Sequence, residues 1–158
     1  METTLSSPSL TSLTAWSMQH MHNIFEAPSD EEALRAIDET FAKNIEASAN
    51  GKPVRYNDII GMVLALRKGS RLKVSWQQAR ELPLDASTNR GGVFSGAYII
   101  RGIQRILPGA NHPVEFERHK TVEVLIEPQS KDISIDSRKI VKLTFVASDI
   151  RVHRQASL

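Results

Sequence analysis

Three stretches of the chain hold side chains able to move protons or steady a developing charge. The first, AWSMQHMHNIF (residues 15–25), sets His20 and His22 two residues apart beside Trp16 and two methionines. On a strand the two imidazoles would share a face and could chelate a metal; on a helix they lie about 200° apart and cannot. The apolar residues Leu10, Leu13, Trp16, Met21, Ile24 and Phe25 recur at helical spacing. That spacing predicts a helix and no metal site, with His20 on the buried stripe between Trp16 and Ile24 and His22 turned elsewhere. His20 is a candidate acid or base, set against a plain core histidine.

The second stretch is LKVSWQQAREL (residues 72–82). Strict alternation places Leu72, Val74, Trp76, Gln78, Arg80 and Leu82 on one face, so Trp76, Gln78 and Arg80 interrupt an apolar stripe. Burying Gln or Arg without partners costs roughly 1–3 kcal/mol even on the lenient mutational scale. Two environments keep such groups: the wall of a cavity, or an interface or edge where Arg80 snorkels to water.

The third stretch spans two strands. In the first, Phe94, Gly96, Tyr98, Ile100 and Gly102 share a face. A Tyr98 phenol there could donate to a carbonyl or enolate oxygen, or serve as a half-buried structural tyrosine. In VEFERHKTVEVLIE (residues 114–127), Glu115, Glu117, His119, Thr121 and Glu123 fall on one side. His119 beside a carboxylate, Glu117 or Glu123, could act as general acid or base, or the face could simply be solvated. The opposite face carries Phe116, Arg118, Lys120, Val122 and Val124. Arg118 and Lys120 are then buried unless a bulge between them exchanges the facing.

These groups must be carried by a small set of elements. Ser7-Pro8 reads as a helix start, with the first helix running to about Glu26. Ser29 and Glu32 form a capping box for a second helix, to Phe41 or Ala42, with Leu34, Ile37, Asp38 and Phe41 along one side. Ile45–Ala49 could be a last helical turn or a short strand, and Asn50-Gly51 is a turn. A third helix starts at the cap Asn57 and closes at Arg67-Lys68-Gly69. Beyond Gly69 the period changes to two, in runs 72–82, 93–107, 114–126 and 139–148. Helices followed by strands argue for an α+β fold, an antiparallel sheet covered on one face by three N-terminal helices.

A chain of 158 residues with 41% hydrophobic and 24% charged residues reads as a single globular domain, frayed over residues 1–6 and 154–158. There is no cysteine, which removes disulfides and thiolate chemistry and suits a cytoplasmic location. METTLSSPSL has neither basic residues nor an apolar core, so no secretory signal is expected, and no apolar run reaches the roughly 18 residues needed to span a bilayer. A net charge of +2, scattered basic residues and only 6% aromatics exclude a nucleic-acid partner. GxGxxG, GxxxxGK[ST], GxSxG and HExxH are all missing, so no cofactor is expected.

The order of elements resembles the nuclear transport factor 2-like superfamily, and within it the SnoaL-like cyclases and isomerases. FAKNIEASANGKPV followed by YNDIIGMVLALRKG, the long strand LKVSWQQAREL, and the closing pair VEFERHKTVEVLIE and RKIVKLTFVASD carry the resemblance, over Leu10 to Val152. It implies a cone, a strongly curved sheet wrapped against helices around a pocket. Members include ketosteroid isomerase, scytalone dehydratase, limonene epoxide hydrolase, polyketide cyclases and fungal isomerases of terpenoid and alkaloid pathways; others bind proteins and catalyse nothing. Many pair through the sheet's outer face, which implies a homodimer. The chain departs from catalytic members in NIEASANG, where only Glu46 is acidic, and in the inserted PQSKDISIDSR.

The expectation is a cofactor-independent isomerase, cyclase or dehydratase acting on a hydrophobic natural-product intermediate. Tyr98, His119, Arg80, Glu123 and His20 are the candidates for chemistry. Trp76, Gln78, Trp16, Phe94 and Asp38 are the candidates for shaping the pocket. The alternative is a non-catalytic cone that binds a small molecule or a protein.

Overall fold

The first helix owes its start to Ser12, whose Oγ accepts the Ala15 N–H at 3.0 Å, and it runs over Leu13–Phe25 (α1). It begins later than the Ser7-Pro8 reading, which lies outside residues 10–153, the part of the chain described by this computed structural model. Ser29 caps α2 (Asp30–Thr40) by accepting the Glu32 N–H at 3.2 Å. The chain then passes directly into β1 (Phe41–Ala49). The strand alternative prevails there because β6 (Arg138–Arg151) supplies backbone partners, from Phe41 opposite Ile140 to Ala49 opposite Phe145.

Asn50 and Gly51 both have positive φ, 51° and 81°, the two-residue turn that joins β1 to β2 (Lys52–Val54). Asp58, not Asn57, organises the start of α3 (Tyr56–Arg67), accepting the Arg55 N–H at 2.8 Å. Gly69, at φ 70°, ends it. Arg67 then binds the Phe25 carbonyl at 3.0 Å and Asp30 at 3.0 Å, which clamps the end of α1 and the start of α2 to α3.

The remaining strands are β3 (Lys73–Pro83), β4 (Gly92–Arg105) and β5 (Val114–Pro128). The sheet order is β2-β1-β6-β5-β4-β3, antiparallel except for the parallel β1–β6 pair, and it is curved and unclosed. The helices cover its inner face, where Leu13, Ile24, Ile37, Phe94, Ile100 and Ile140 form the core. No helix among the described residues is long and apolar enough to cross a membrane.

Two of the sheet's register shifts set the faces of β3 and β4. One lies between Trp76 and Gln78, the other between Ile100 and Ile103. Gly102 makes the second, at φ 86°, and a Cβ there would overlap the Arg71 carbonyl oxygen. Gly102→Ala is therefore expected to destabilise by about 2 kcal/mol or more, read as a lower urea midpoint at unchanged slope.

Candidate functional site

Between β5 and the helices the inner face of the sheet is not purely apolar. From Phe116 to Leu125 the pairing of β5 with β6 is unbroken, so alternation persists and Arg118 and Lys120 share the face of Val122 and Val124. With Tyr98 of β4 they wall a cavity of about 40 Å³ closed by Met21 and Phe25 of α1, Met62 of α3 and Phe145 of β6. That is room for two or three waters. Met62, Leu66, Arg118 and Phe145 also line a wider groove of about 440 Å³ at the open end of the sheet, so the two spaces adjoin.

Lys120 is the unusual group. Its ammonium lies 4.0 Å from the Phe145 ring centre, 5.4 Å from that of Phe25 and 5.5 Å from that of Tyr98. It makes no hydrogen bond or ion pair with the described residues. The residue as a whole is half-buried, and aromatic rings crowd its nitrogen. Burial, with a smaller contribution from the Arg118 charge, pushes its pKa down to about 7. Tyr98, 1% exposed, has its hydroxyl 4.0 Å from Met21 Sδ, its only hydrogen-bond partner among the described residues. Burial pushes its phenol above the ordinary value, against the pull of Arg118, so it remains a donor.

At the mouth, Arg118 binds Asp149 through both Nε (2.7 Å) and Nη2 (3.1 Å), and Arg105 reaches the same carboxylate at 2.7 Å. The Arg118 hydrogen bonds hold the Asp149 carboxyl below its ordinary range, against the effect of burial.

Apart from Tyr98, the candidates for chemistry lie elsewhere. The bulge after Trp76 moves Gln78 and Arg80 to the exposed outer face. Trp76 itself points inward, 4.6 Å from the Tyr98 ring and edge-on to Phe94, but neither Trp76 nor Phe94 lines the cavity. Gly96 leaves the space for it, since a Cβ there would come within 2.9 Å of Trp76 Cζ3. His119 and Glu123 face outward, opposite Ser148 and Thr144, because unbroken alternation assigns them the side away from Lys120. His119 pairs there with Glu117 at 2.8 Å, and Glu117 with Arg101 at 2.8 Å.

His20 and Trp16 are packed, but against a different cleft, about 290 Å³, lined also by Asp38, Asp136, Arg138 and Lys139. Asp38 is exposed at its rim, with its carbonyl accepting from Lys139 Nζ at 2.8 Å. His20 stacks on Trp16 at 4.1 Å, and its Nδ1 is 2.8 Å from Thr40 Oγ1, whose own proton goes to the Ala36 carbonyl. Nδ1 is therefore the protonated nitrogen. Burial, opposed by Asp136 and assisted by Arg138, pushes its pKa down to about 4. His22 turns to Glu26, 2.6 Å away. Among the described residues no three acidic or histidine side chains converge as metal ligands.

No family model matches the chain, and no curated protein matches it in sequence. Solved structures do match it in shape. Mtr2 of Candida albicans superimposes with a TM-score of 0.59 at 8% identity, over 87% of this chain and 94% of that one. IdmH of Streptomyces antibioticus, a candidate polyketide cyclase, gives 0.56 at 12% identity, over 82% and 90%. Nuclear transport factor 2 of Cryptosporidium parvum gives 0.53 at 12%, over 86% and 92%. The chain has the nuclear transport factor 2-like fold. Within that fold the cavity of Lys120 and Tyr98 occupies the inside of the cone, between helices and curved sheet. The fold is shared by protein-binding and small-molecule proteins alike, so the site must argue for function.

Proposed function

We propose that this cone is a cofactor-independent acid/base enzyme that isomerises, cyclises or dehydrates an apolar carbonyl compound, with Lys120 as the group that moves the proton. One observation carries the reading: a lysine without a carboxylate partner among the described residues sits among aromatic rings, with its pKa brought to about 7. A core built only for stability would hold an apolar side chain there. Neutral Lys120 would take a proton from the carbon beside a carbonyl, and the Tyr98 phenol or an Arg118 N–H would hold the enolate oxygen. The Lys120 ammonium then returns the proton to a different carbon, to the alkoxide formed when the enolate closes on a second carbonyl, or to a β-hydroxyl that leaves as water. Met21 and Met62 are the flexible walls that would open the cavity to a larger ligand.

Hydrogen–deuterium exchange tests this without knowing the substrate. The protein in D2O is expected to speed exchange of the protons beside the carbonyl of 2-heptanone, followed by NMR. Lys120→Met should lower that rate at least about 100-fold. Equal exchange by a folded Lys120→Met would remove Lys120 from the chemistry.

The small cavity and two apolar residues on the outer sheet face, Val146 at 58% and Ile150 at 49% exposure, favour a second reading. In it the sheet's outer face is an association surface for a second copy or another protein, as Mtr2 is found in complex with the Mex67 M domain. Light scattering should then give twice the chain mass, and Val146→Asp should halve it. A wild-type mass of one chain would end the homodimer reading.

A further inference from the structure

We propose that the ligand of this cone is an amphipathic keto acid, with its carboxylate held at the mouth by Arg105 and Arg118 and its carbonyl presented inside to Lys120.

Charge at the mouth is the starting point. Two guanidinium groups share one carboxylate, Asp149, which is the only acid among the described residues lining the groove. Among the described residues the pair is left with one uncompensated positive charge. Arg118 spends Nε and Nη2 on Asp149, and its Nη1 donates to no described residue. Arg105 is 39% exposed and, among the described residues, has only its Nη2 at Asp149, with its guanidinium over the Phe116 ring at 5.4 Å. Donors in a fixed fork, aimed into a groove and short of acceptors, suit a carboxylate. The remainder of the groove is mostly apolar, with Met62, Leu66, Phe145 and Ala147. An ordinary inorganic anion has no use for such a wall, whereas an acid with an apolar body does.

Strand geometry then limits where the reacting group lies. Arg118 and Lys120 are alternate residues on one face of β5, and a strand advances about 3.3 Å per residue, so their Cα atoms are about 6.6 Å apart. Arg118 lines both groove and cavity, and Lys120 only the cavity. A ligand anchored at Arg118 thus presents to Lys120 a carbon about five bonds from its carboxylate, on the order of the same 6.6 Å. The carbonyl end rests on the reading of Lys120 as the proton-moving group; the carboxylate end does not.

The probes are 6-oxoheptanoate, its neutral counterpart 2-heptanone, and the shorter keto acid levulinate. Titrations followed by protein NMR at low salt measure binding, and exchange in D2O measures chemistry. Wild type should bind 6-oxoheptanoate at least about tenfold more tightly than 2-heptanone. Added salt should erode that preference. Arg105→Gln should abolish it, and Arg105→Lys should keep part of it. Asp149→Asn, which removes the competing carboxylate, should strengthen it, a direction that mere loss of structure does not produce. Levulinate should bind but exchange more slowly than 6-oxoheptanoate.

Equal binding of acid and ketone by wild type would overturn the proposal. So would a preference that survives Arg105→Gln and disappears in Lys120→Met, because the acid would then sit inside on the lysine. Should Asp149→Asn fail to fold, the two Arg105 variants decide alone. Loss of exchange with the acid preference intact would sink the role of Lys120 and leave the carboxylate site standing. Exchange without the preference would do the reverse.

Discussion

Lys120→Met is expected to yield a more stable protein. The folded structure lowers the lysine pKa from an ordinary 10.5 to about 7. Between those two values the unfolded chain keeps a proton that the folded chain has released, so stability rises with pH across that window. Below about 7 both states are charged and the full cost of burying the ammonium is present. The difference corresponds to a ceiling on the order of 4–5 kcal/mol. Three aromatic rings and the partly open mouth offset some of it, so a gain of about 1–3 kcal/mol near neutral pH is expected for the methionine variant.

Urea unfolding of both proteins from mildly acidic to alkaline pH checks the sign. The advantage of Lys120→Met should be greatest at or below neutrality and should shrink as pH climbs towards 10.5. The groups facing Lys120 do not confuse the reading. Burial raises the Tyr98 phenol above its ordinary range, Arg118 is the other polar group of the wall, and α1, α3 and β6 contribute only apolar walls, such as Phe25, Val63 and Leu143. A variant less stable than wild type at every pH would mean that packing of the lysine stem outweighs its charge. Greater stability with lost proton exchange is the pattern expected where a fold tolerates a costly group because it is used.

The largest loss of stability is expected at Arg138. It is 3% exposed and donates to the Thr11 carbonyl (2.7 Å), the Thr11 hydroxyl (3.0 Å), the Asn89 carbonyl (3.0 Å) and both Asp136 oxygens (2.9 Å each). One side chain thereby ties the lead into α1, the β3–β4 loop and the β5–β6 connection. Its guanidinium also lies 5.6 Å from the Trp16 ring. Arg138→Met strands two carbonyls and a carboxylate, and should cost about 3–5 kcal/mol. Arg138→Lys keeps the charge but loses the fork, so it should cost less while still falling well short of wild type.

A second readout is local. Arg138 helps to hold His20 at about 4, and Asp136 opposes it. With Arg138 gone, the Asp136 anion is unbalanced and the His20 titration followed by NMR should move up towards its ordinary 6.5. A loss below about 1 kcal/mol with an unmoved His20 would show that the bonds of Arg138 are replaced by water.

Much of the fold was legible because its rules are local. Period 3.6 marks the three helices and period 2 the strands beyond Gly69, with Ser29, Gly69 and the Asn50-Gly51 turn as punctuation, whereas β1, ahead of Gly69, was open between a helical turn and a strand. Alternation also groups Tyr98 with Phe94 and Ile100, and Arg118 and Lys120 with Val122, but it left open which side of the sheet Arg118 and Lys120 take. What alternation could not carry is continuity. One extra residue after Trp76 turns Gln78 and Arg80 outward, whereas β5 has no such bulge across Arg118 and Lys120. The burial of Arg118 and Lys120 that alternation demands was therefore the signal for the site, and its resolution depended on pairing with β6.

His20 shows the other limit. Helical phase places it on the packed side of α1, but that side is wide enough to meet two neighbours. Ile24 and Phe25 reach the cone's cavity, while Trp16 and His20 meet Thr40 and the cleft of Arg138. The sequence by itself determined the three helices, the four strand runs beyond Gly69 and the lack of thiol chemistry. Only the tertiary structure decided which polar groups share a cavity, because strand register and helix docking are set by contacts between residues far apart in the chain.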